Sequence, residues 1–264
     1  MLRPRIIPCL LLHQGGLVKT QLFKDPKYVG DPINAVRIFN EKEADELMIL
    51  DIDAAVNGSE PDFALLAKLA AECRMPLCYG GGVTTAQQAA RIIDMGVEKV
   101  AVSSAAIANP DLLTEMAAAV GRQSVVVVID VRKKSGFFSK GYEVCTHNGS
   151  RVHKIDPVVF AKACQDAGAG EIVINSIDRD GMMSGYDLDF AKTIKKNLAI
   201  PVTFLGGAGS LDDIGRMISS LGVVGAAAGS LFVFKGKYRA VLINYPTQQQ
   251  KLKLCFDAMK SLVR

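Results

Sequence analysis

The chain of 264 residues has no tryptophan, and aromatic residues make up only 6% of it. No apolar run approaches the roughly 18 residues that a membrane-spanning helix needs, so no membrane association is expected. There is no low-complexity tract and no block of like charge. With 31 basic and 27 acidic residues the formal net charge is +4. That surplus does not point to nucleic acid, and a phosphorylated small molecule fits it equally well. The six cysteines (Cys9, Cys73, Cys78, Cys145, Cys164 and Cys255) form no C-x-x-C pair and no cluster with histidine at metal-ligand spacing. Neither a metal nor a cofactor is expected, and the thiols read as buried or idle in a reducing cytoplasm. Arg3 and Arg5 precede an apolar stretch, as in a secretory signal. The stretch is short, contains Pro8 and lacks a small-residue cleavage site, so it reads as a first strand.

Hydrophobic residues make up 49% of the chain, enough for a large core. Short apolar runs at Ile6–Leu11, Glu46–Ile52, Pro76–Tyr79, Lys99–Ser103, Val125–Asp130, Glu171–Asn175, Val202–Leu205 and Val224–Ala228 read as strands. Most lack polar alternation, as parallel strands covered on both faces should. Amphipathic helical segments lie between them, from Pro32–Asp45 to a last helix over Gln248–Val263. Cap signals open several, at Asp31-Pro32, Asn109-Pro110, Asp156-Pro157 and Ser210. Glycines close them at Gly96, Gly121, Gly168 and Gly222. Eight strand–helix units in one α/β chain predict a single (β/α)8 TIM barrel, with an open doubly wound sheet as the weaker alternative.

An internal repeat supports closure. "ELMILDID" at Glu46 matches "EIVINSID" at Glu171, and "PLCYGGG" at Pro76 matches "PVTFLGG" at Pro201, both at an offset of 125. "GVEKVAVSSAAI" at Gly96 matches "GVVGAAAGSLFV" at Gly222, offset 126. The chain therefore reads as two (βα)4 half-barrels, about 1–122 and 123–264.

Active sites of such barrels lie at the C-terminal ends of the strands. Two sets of residues there suit a phosphate: Gly81, Gly82, Ser103 and Ser104 in one half, and Gly206, Gly207, Gly209, Gly229 and Ser230 in the other. Asp180, Gly181 and Lys19 are further ligand-binding candidates. A doubled site implies a ligand with a phosphate at each end. Asp130 ends an otherwise apolar strand, so it is the candidate general acid or base. Asp51, Asp53 and Asp178 read equally as acid–base groups or as loop-ordering groups. His13, His147 and His153 show no catalytic spacing, and His13 reads as a solvated loop histidine. The segment Lys19–Asp31 reads as a long βα loop able to act as a lid. Arg132–Lys154 reads as a β-hairpin excursion.

The segments "RIIPCLL", "VKT", "DELMILDI", "SVVVVID", "SIDRDG", "SGYD" and "GGAG" resemble the cyclase subunit of imidazole glycerol phosphate synthase, over about Arg5 to Phe234. The resemblance implies a glutaminase partner docked at the N-terminal face of the barrel and ammonia passing through its interior. It also implies cyclisation of a bisphosphorylated ribonucleotide by two aspartates at the ends of strands one and five. An ammonia gate at the barrel base is implied at Arg5, Glu46, Lys99 and Glu171. One departure stands out, because the strand-one aspartate is Leu11 here. "PCLLL", "PKYVGDPINA" and "GSLFVFKGKYRAVLI" resemble a side branch associated with surface-polysaccharide (O-antigen type) formation. In that branch a separate sugar amidotransferase joins the complex and an acetamidino sugar is made. Four expectations follow: an ammonia-conducting subunit of that branch, a histidine-pathway cyclase that tolerates Leu11, a phosphosugar isomerase, or a scaffold for its glutaminase.

Overall fold

The computed structural model describes residues 3–135 and 141–262. Eight parallel strands form its centre: β1 (Arg5–His13), β2 (Leu47–Asp51), β3 (Leu77–Gly80), β4 (Lys99–Val102), β5 (Val125–Lys133), β6 (Glu171–Ser176), β7 (Val202–Leu205) and β8 (Gly225–Ala228). Each pairs with the next, and β8 returns to β1 with Arg5 opposite Gly225 and Pro8 opposite Ala228. The ring is closed, so no barrel strand leaves an edge. The chain is a (β/α)8 TIM barrel, as its strand–helix alternation predicts.

The principal helices around the ring are α1 (Pro32–Glu41), α2 (Phe63–Glu72), α3 (Ala86–Asp94), α4 (Asp111–Val120), α5 (Pro157–Ala167), α6 (Leu188–Asn197), α7 (Leu211–Leu221) and α8 (Gln248–Leu262). Most begin where a side chain satisfies a free backbone N–H. Asp31 accepts from Asn34 at 2.9 Å, Asp156 accepts from Val158 and Val159, and Ser210 and Asp213 satisfy each other's backbones. Asn109 does not cap. Pro110 takes the cap position of α4, and no side chain bonds to that end. The helix expected over Pro32–Asp45 stops at Glu41, which frees Asp45 to accept from the Ile6 N–H and pair with Lys251.

The buried apolar residues form two layers. The larger lies between strands and helices and includes Ile6, Leu10, Phe39, Leu69 and Phe232. The smaller lies inside the ring: Ile7 and Cys9 of β1, Met48 of β2, Cys78 of β3, Ala101 of β4, Val126 and Val128 of β5, Val173 of β6, Leu205 of β7 and Ala227 of β8. Period-two alternation divides each strand between the layers, so both faces are apolar and the strands read as continuous hydrophobic runs.

Two hairpins rise from the C-terminal rim. The segment expected to be a long loop is instead a strand pair, Gly16–Gln21 with Lys24–Gly30, and its first strand pairs with β1. Val18, Lys19 and Thr20 are buried within it. Lysines give the segment the composition of a loop, while the carboxylate that pairs with Lys19 lies far along the chain at Asp180. The second hairpin, foreseen after β5, pairs Tyr142–Thr146 with both β5 and Arg151–His153. Gly136 of that expected excursion lies outside the described residues.

Candidate active site at the C-terminal rim

The glycine turns after β3 and β7 are built alike. Gly81 has φ 129°, and a Cβ there would come within 2.6 Å of Asp51. Gly206 has φ 97°, and a Cβ there would come within 2.7 Å of the Ser176 carbonyl. Only glycine tolerates both the backbone angle and the approach of the neighbouring strand end. Beyond each turn, the following strand feeds a short helix, Ser104–Ala108 after β4 and Ser230–Val233 after β8. Ser103 and Gly229 hold the positions just before these helices. Ser230 Oγ is buried without a hydrogen-bond partner, facing the same small cavity as Gly181, Gly206 and Gly207.

The two sides of the mouth differ in openness. A cavity of about 460 Å³ is lined by Gly81, Gly82, Ser103, Ser104, Asp130 and Leu11, among others. The cavity beside Gly206, Gly207 and Gly229 measures only about 10 Å³. Lys19 explains the difference. Its side chain lies against Gly229, where a Cβ would meet Lys19 Cε at 2.6 Å, and its ammonium donates to Asp180 at 2.7 Å. Asp180 also accepts from Thr20 Oγ1 at 2.6 Å and from the Phe23 N–H at 3.2 Å. Asp180 therefore fastens the first hairpin across the second glycine cradle.

Asp130 and Leu11 both line the large cavity. Burial pushes the Asp130 carboxyl up to about 7; the hydrogen bond from Asn175 opposes this and the nearby Asp180 charge reinforces it. A carboxyl poised there can both give and take a proton at neutral pH. Asn175 donates from Nδ2 to Asp130 Oδ1 at 2.8 Å, because β5 and β6 pair with these residues in direct register. Asn175 is a site residue that the sequence pattern does not single out. Its one signal is that a polar residue ends each of two neighbouring strands at matching positions.

The remaining carboxylates have local duties. Asp51 accepts from the Asp53 and Ala54 N–H groups and so starts a short helix at Ala54–Asn57. Asp178 accepts from the Lys133 N–H at 2.7 Å. Asp53 accepts from the Gln14 N–H and lies 2.7 Å from His13 Nδ1. His13 is thus no solvated loop residue; it ends β1, half-buried and paired. Among the described residues no group of three or more histidine, cysteine or acidic side chains could hold a metal. Nor is any described helix long and apolar enough to cross a membrane.

At the opposite end of the ring, four charges close the interior. Arg5 pairs with Glu46 and, at 2.7 Å, with Glu171, while Lys99 reaches both glutamates at 2.9 Å. Thr203 donates to Glu171 at 2.5 Å. Burial alone would raise the Glu171 carboxyl, but attraction to Arg5 and Lys99 overrides it and holds the group well below the usual carboxylate range. The glutamates are almost wholly buried and the two cations only partly so.

A closed barrel with twin glycine turns, a buried carboxyl at one end and a buried charged ring at the other defines a (β/α)8-barrel protein. The family model described as "Histidine biosynthesis protein" matches residues 5–239. A "Putative imidazole glycerol phosphate synthase subunit hisF3" of Vibrio vulnificus is 56% identical, covering 96% of this chain and 96% of that protein. A "Putative imidazole glycerol phosphate synthase subunit HisF" of Leptospira interrogans is 54% identical over 97% of this chain and 100% of its own length. The "Imidazole glycerol phosphate synthase subunit HisF" of Hyphomonas neptunium is 40% identical over 89% and 91%. The chain belongs to the HisF-like imidazole glycerol phosphate synthase subunit family.

Proposed function

We propose that this chain is the ammonia-accepting barrel subunit of a glutamine amidotransferase complex of the imidazole glycerol phosphate synthase type. The observation that carries the reading is the ring of Arg5, Glu46, Lys99 and Glu171 beneath an apolar interior that opens at Asp130. A glutaminase docked at the N-terminal face releases ammonia below the ring. Neutral ammonia crosses the apolar interior far more readily than ammonium, because an unpaired charge there is strongly penalised. At the mouth, Gly81, Gly82, Ser103 and Ser104 receive one phosphate of the ligand. Gly181, Gly206, Gly207, Gly209, Gly229 and Ser230 receive the other once the Lys19 side chain, held beside Gly229 by Asp180, moves aside. Asp130 moves the proton, and the work takes place in the cytoplasm.

The names of the relatives favour cyclisation of the histidine-pathway nucleotide, a lyase-type reaction, as the use of that ammonia. Leu11 favours a second reading, in which the ammonia goes to a separate sugar amidotransferase that forms an acetamidino sugar for surface polysaccharide. Leucine transfers no proton, and losing one member of an acid–base pair costs roughly 10²–10⁴-fold. Turnover of the histidine-pathway nucleotide with ammonia separates the two. A rate within tenfold of an aspartate-containing homologue establishes the cyclase. A rate lower by a hundredfold or more, recovered in Leu11→Asp, supports the second reading.

A further inference from the structure

We propose that Asn175 is a positioning residue for proton transfer: its amide holds one oxygen of the Asp130 carboxyl so that the other gives and takes the proton. The inference deepens the reading of Asp130 given above and rests on it. Among the described residues, Asn175 is the only side chain hydrogen-bonded to Asp130. It is only 6% exposed, so water does not readily replace it. Its place is fixed by strand register rather than by a mobile loop, since Asn175 lies directly opposite Asp130 in the β5–β6 ladder.

The chemistry follows from what an amide offers. The Nδ2–H donates to Oδ1 when Asp130 is a carboxylate. When Asp130 is protonated, the proton sits on Oδ2, and Oδ1 accepts the same bond more weakly as a carbonyl oxygen. One neighbour thereby serves both forms, the carboxylate more strongly, and leaves Oδ2 free to exchange its proton with the ligand. With an aspartate at position 11, acid and base work would be divided between two groups. With Leu11, one group must cycle between both states.

Lys19, Asp51, Glu60, His147, Arg151 and Asp180 line the same cavity, and among the described residues none of them is hydrogen-bonded to Asp130. From β1 come Cys9, whose thiol burial pushes up to about 12, and the apolar Leu11. From β5 and β7 come Val128 and Leu205. From the second hairpin comes Cys145, which stands opposite Asp130 in the ladder and is likewise pushed up by burial. The charge that bears on Asp130, that of Asp180, is paired with Lys19.

An isosteric pair tests the proposal. Threonine at position 175 can donate and accept, whereas valine can do neither. The Asp130 carboxyl is followed by carbon-13 NMR in the ligand-free protein, in wild type, Asn175→Thr and Asn175→Val, with melting temperature as the measure of folding. The expected midpoint is near 7 in wild type and within half a pH unit of that in the threonine variant. It is higher by one unit or more in the valine variant. Equal midpoints in all three, or equal displacement in both variants at equal melting temperature, overturn the proposal. If the valine variant melts early, Asn175→Asp is read instead. A second carboxyl there must raise the Asp130 midpoint, and an unmoved midpoint also overturns the idea. A midpoint near 4 in wild type would instead sink the reading of Asp130 as a poised acid–base group. Because the readout is a titration and not turnover, the nature of the acceptor does not affect the outcome.

Discussion

The buried Asp130 carboxyl ties the protein's stability to pH. The group ionises at about 7 in the fold, against an ordinary value of 3.8. Between those values the unfolded chain has released a proton that the folded chain still holds. The stabilising contribution is therefore complete below about 4 and is lost as pH rises through 7. Asp130→Asn removes this titration. Relative to wild type, the variant is expected to gain stability from pH 5 to pH 8, by at least the roughly 1.4 kcal/mol that one pH unit represents. Urea unfolding at the two pH values measures it, and a difference that stays constant refutes the assignment. Leu11→Asp goes the other way. A carboxyl placed at a site only 9% exposed would be desolvated, and Lys19, which lines the same cavity, is already held by Asp180. A loss of about 1–3 kcal/mol at neutral pH is expected from the same unfolding measurement. Asp130 was legible as a candidate in the sequence because it closes an otherwise apolar run. Asn175 was not, because an amide at a strand end looks like any turn-forming residue until strand register puts it against a carboxyl.

Strands and helices announced themselves through their apolar periods and caps, and the eight barrel strands lie where the sequence places them to within two or three residues at their ends. The first hairpin did not announce itself. Its three lysines, a proline and glycines have loop composition, and its stabilising partner, Asp180, is 161 residues from Lys19. No local pattern carries a contact of that separation. The same contact makes a prediction about the element as a whole. Asp180→Ala leaves Lys19 buried without a counter-charge and removes acceptors from Thr20 and Phe23. Breaking a buried pair by deleting one partner costs about 3–5 kcal/mol. Here the element can open instead, so the loss should appear locally. Hydrogen exchange across residues 16–30 is expected to accelerate at least tenfold while the amides of β2 and β3 keep their protection. Uniform acceleration throughout the barrel would mean that Asp180 supports the whole fold and not one hairpin.

At the scale of the molecule, the two ends of the barrel obey opposite rules. The rim devotes glycines and a poised carboxyl to a cavity, and the base closes the interior with four charges. A ring of buried ions is a poor source of stability, since well-packed apolar residues of similar size are often neutral or better by about 1–4 kcal/mol. Thr203 adds to the commitment: its hydroxyl sits where a Cβ at Gly225 would collide, so β8 carries glycine there to make room. Strand after strand thus contributes a charge or a hydroxyl, and β8 gives up its side chain, for an arrangement that packing alone would not select. Replacing Arg5 and Lys99 by methionine and Glu46 and Glu171 by leucine together is therefore expected to leave the melting temperature unchanged or raised by several degrees. Arg5→Met alone strands two carboxylates beside one remaining cation and should lower it. If the ring serves ammonia entry, the fourfold variant keeps turnover with added ammonia and loses most of its turnover with glutamine and a glutaminase. Equal loss with both nitrogen sources would assign the ring to the architecture of the barrel instead of to its traffic.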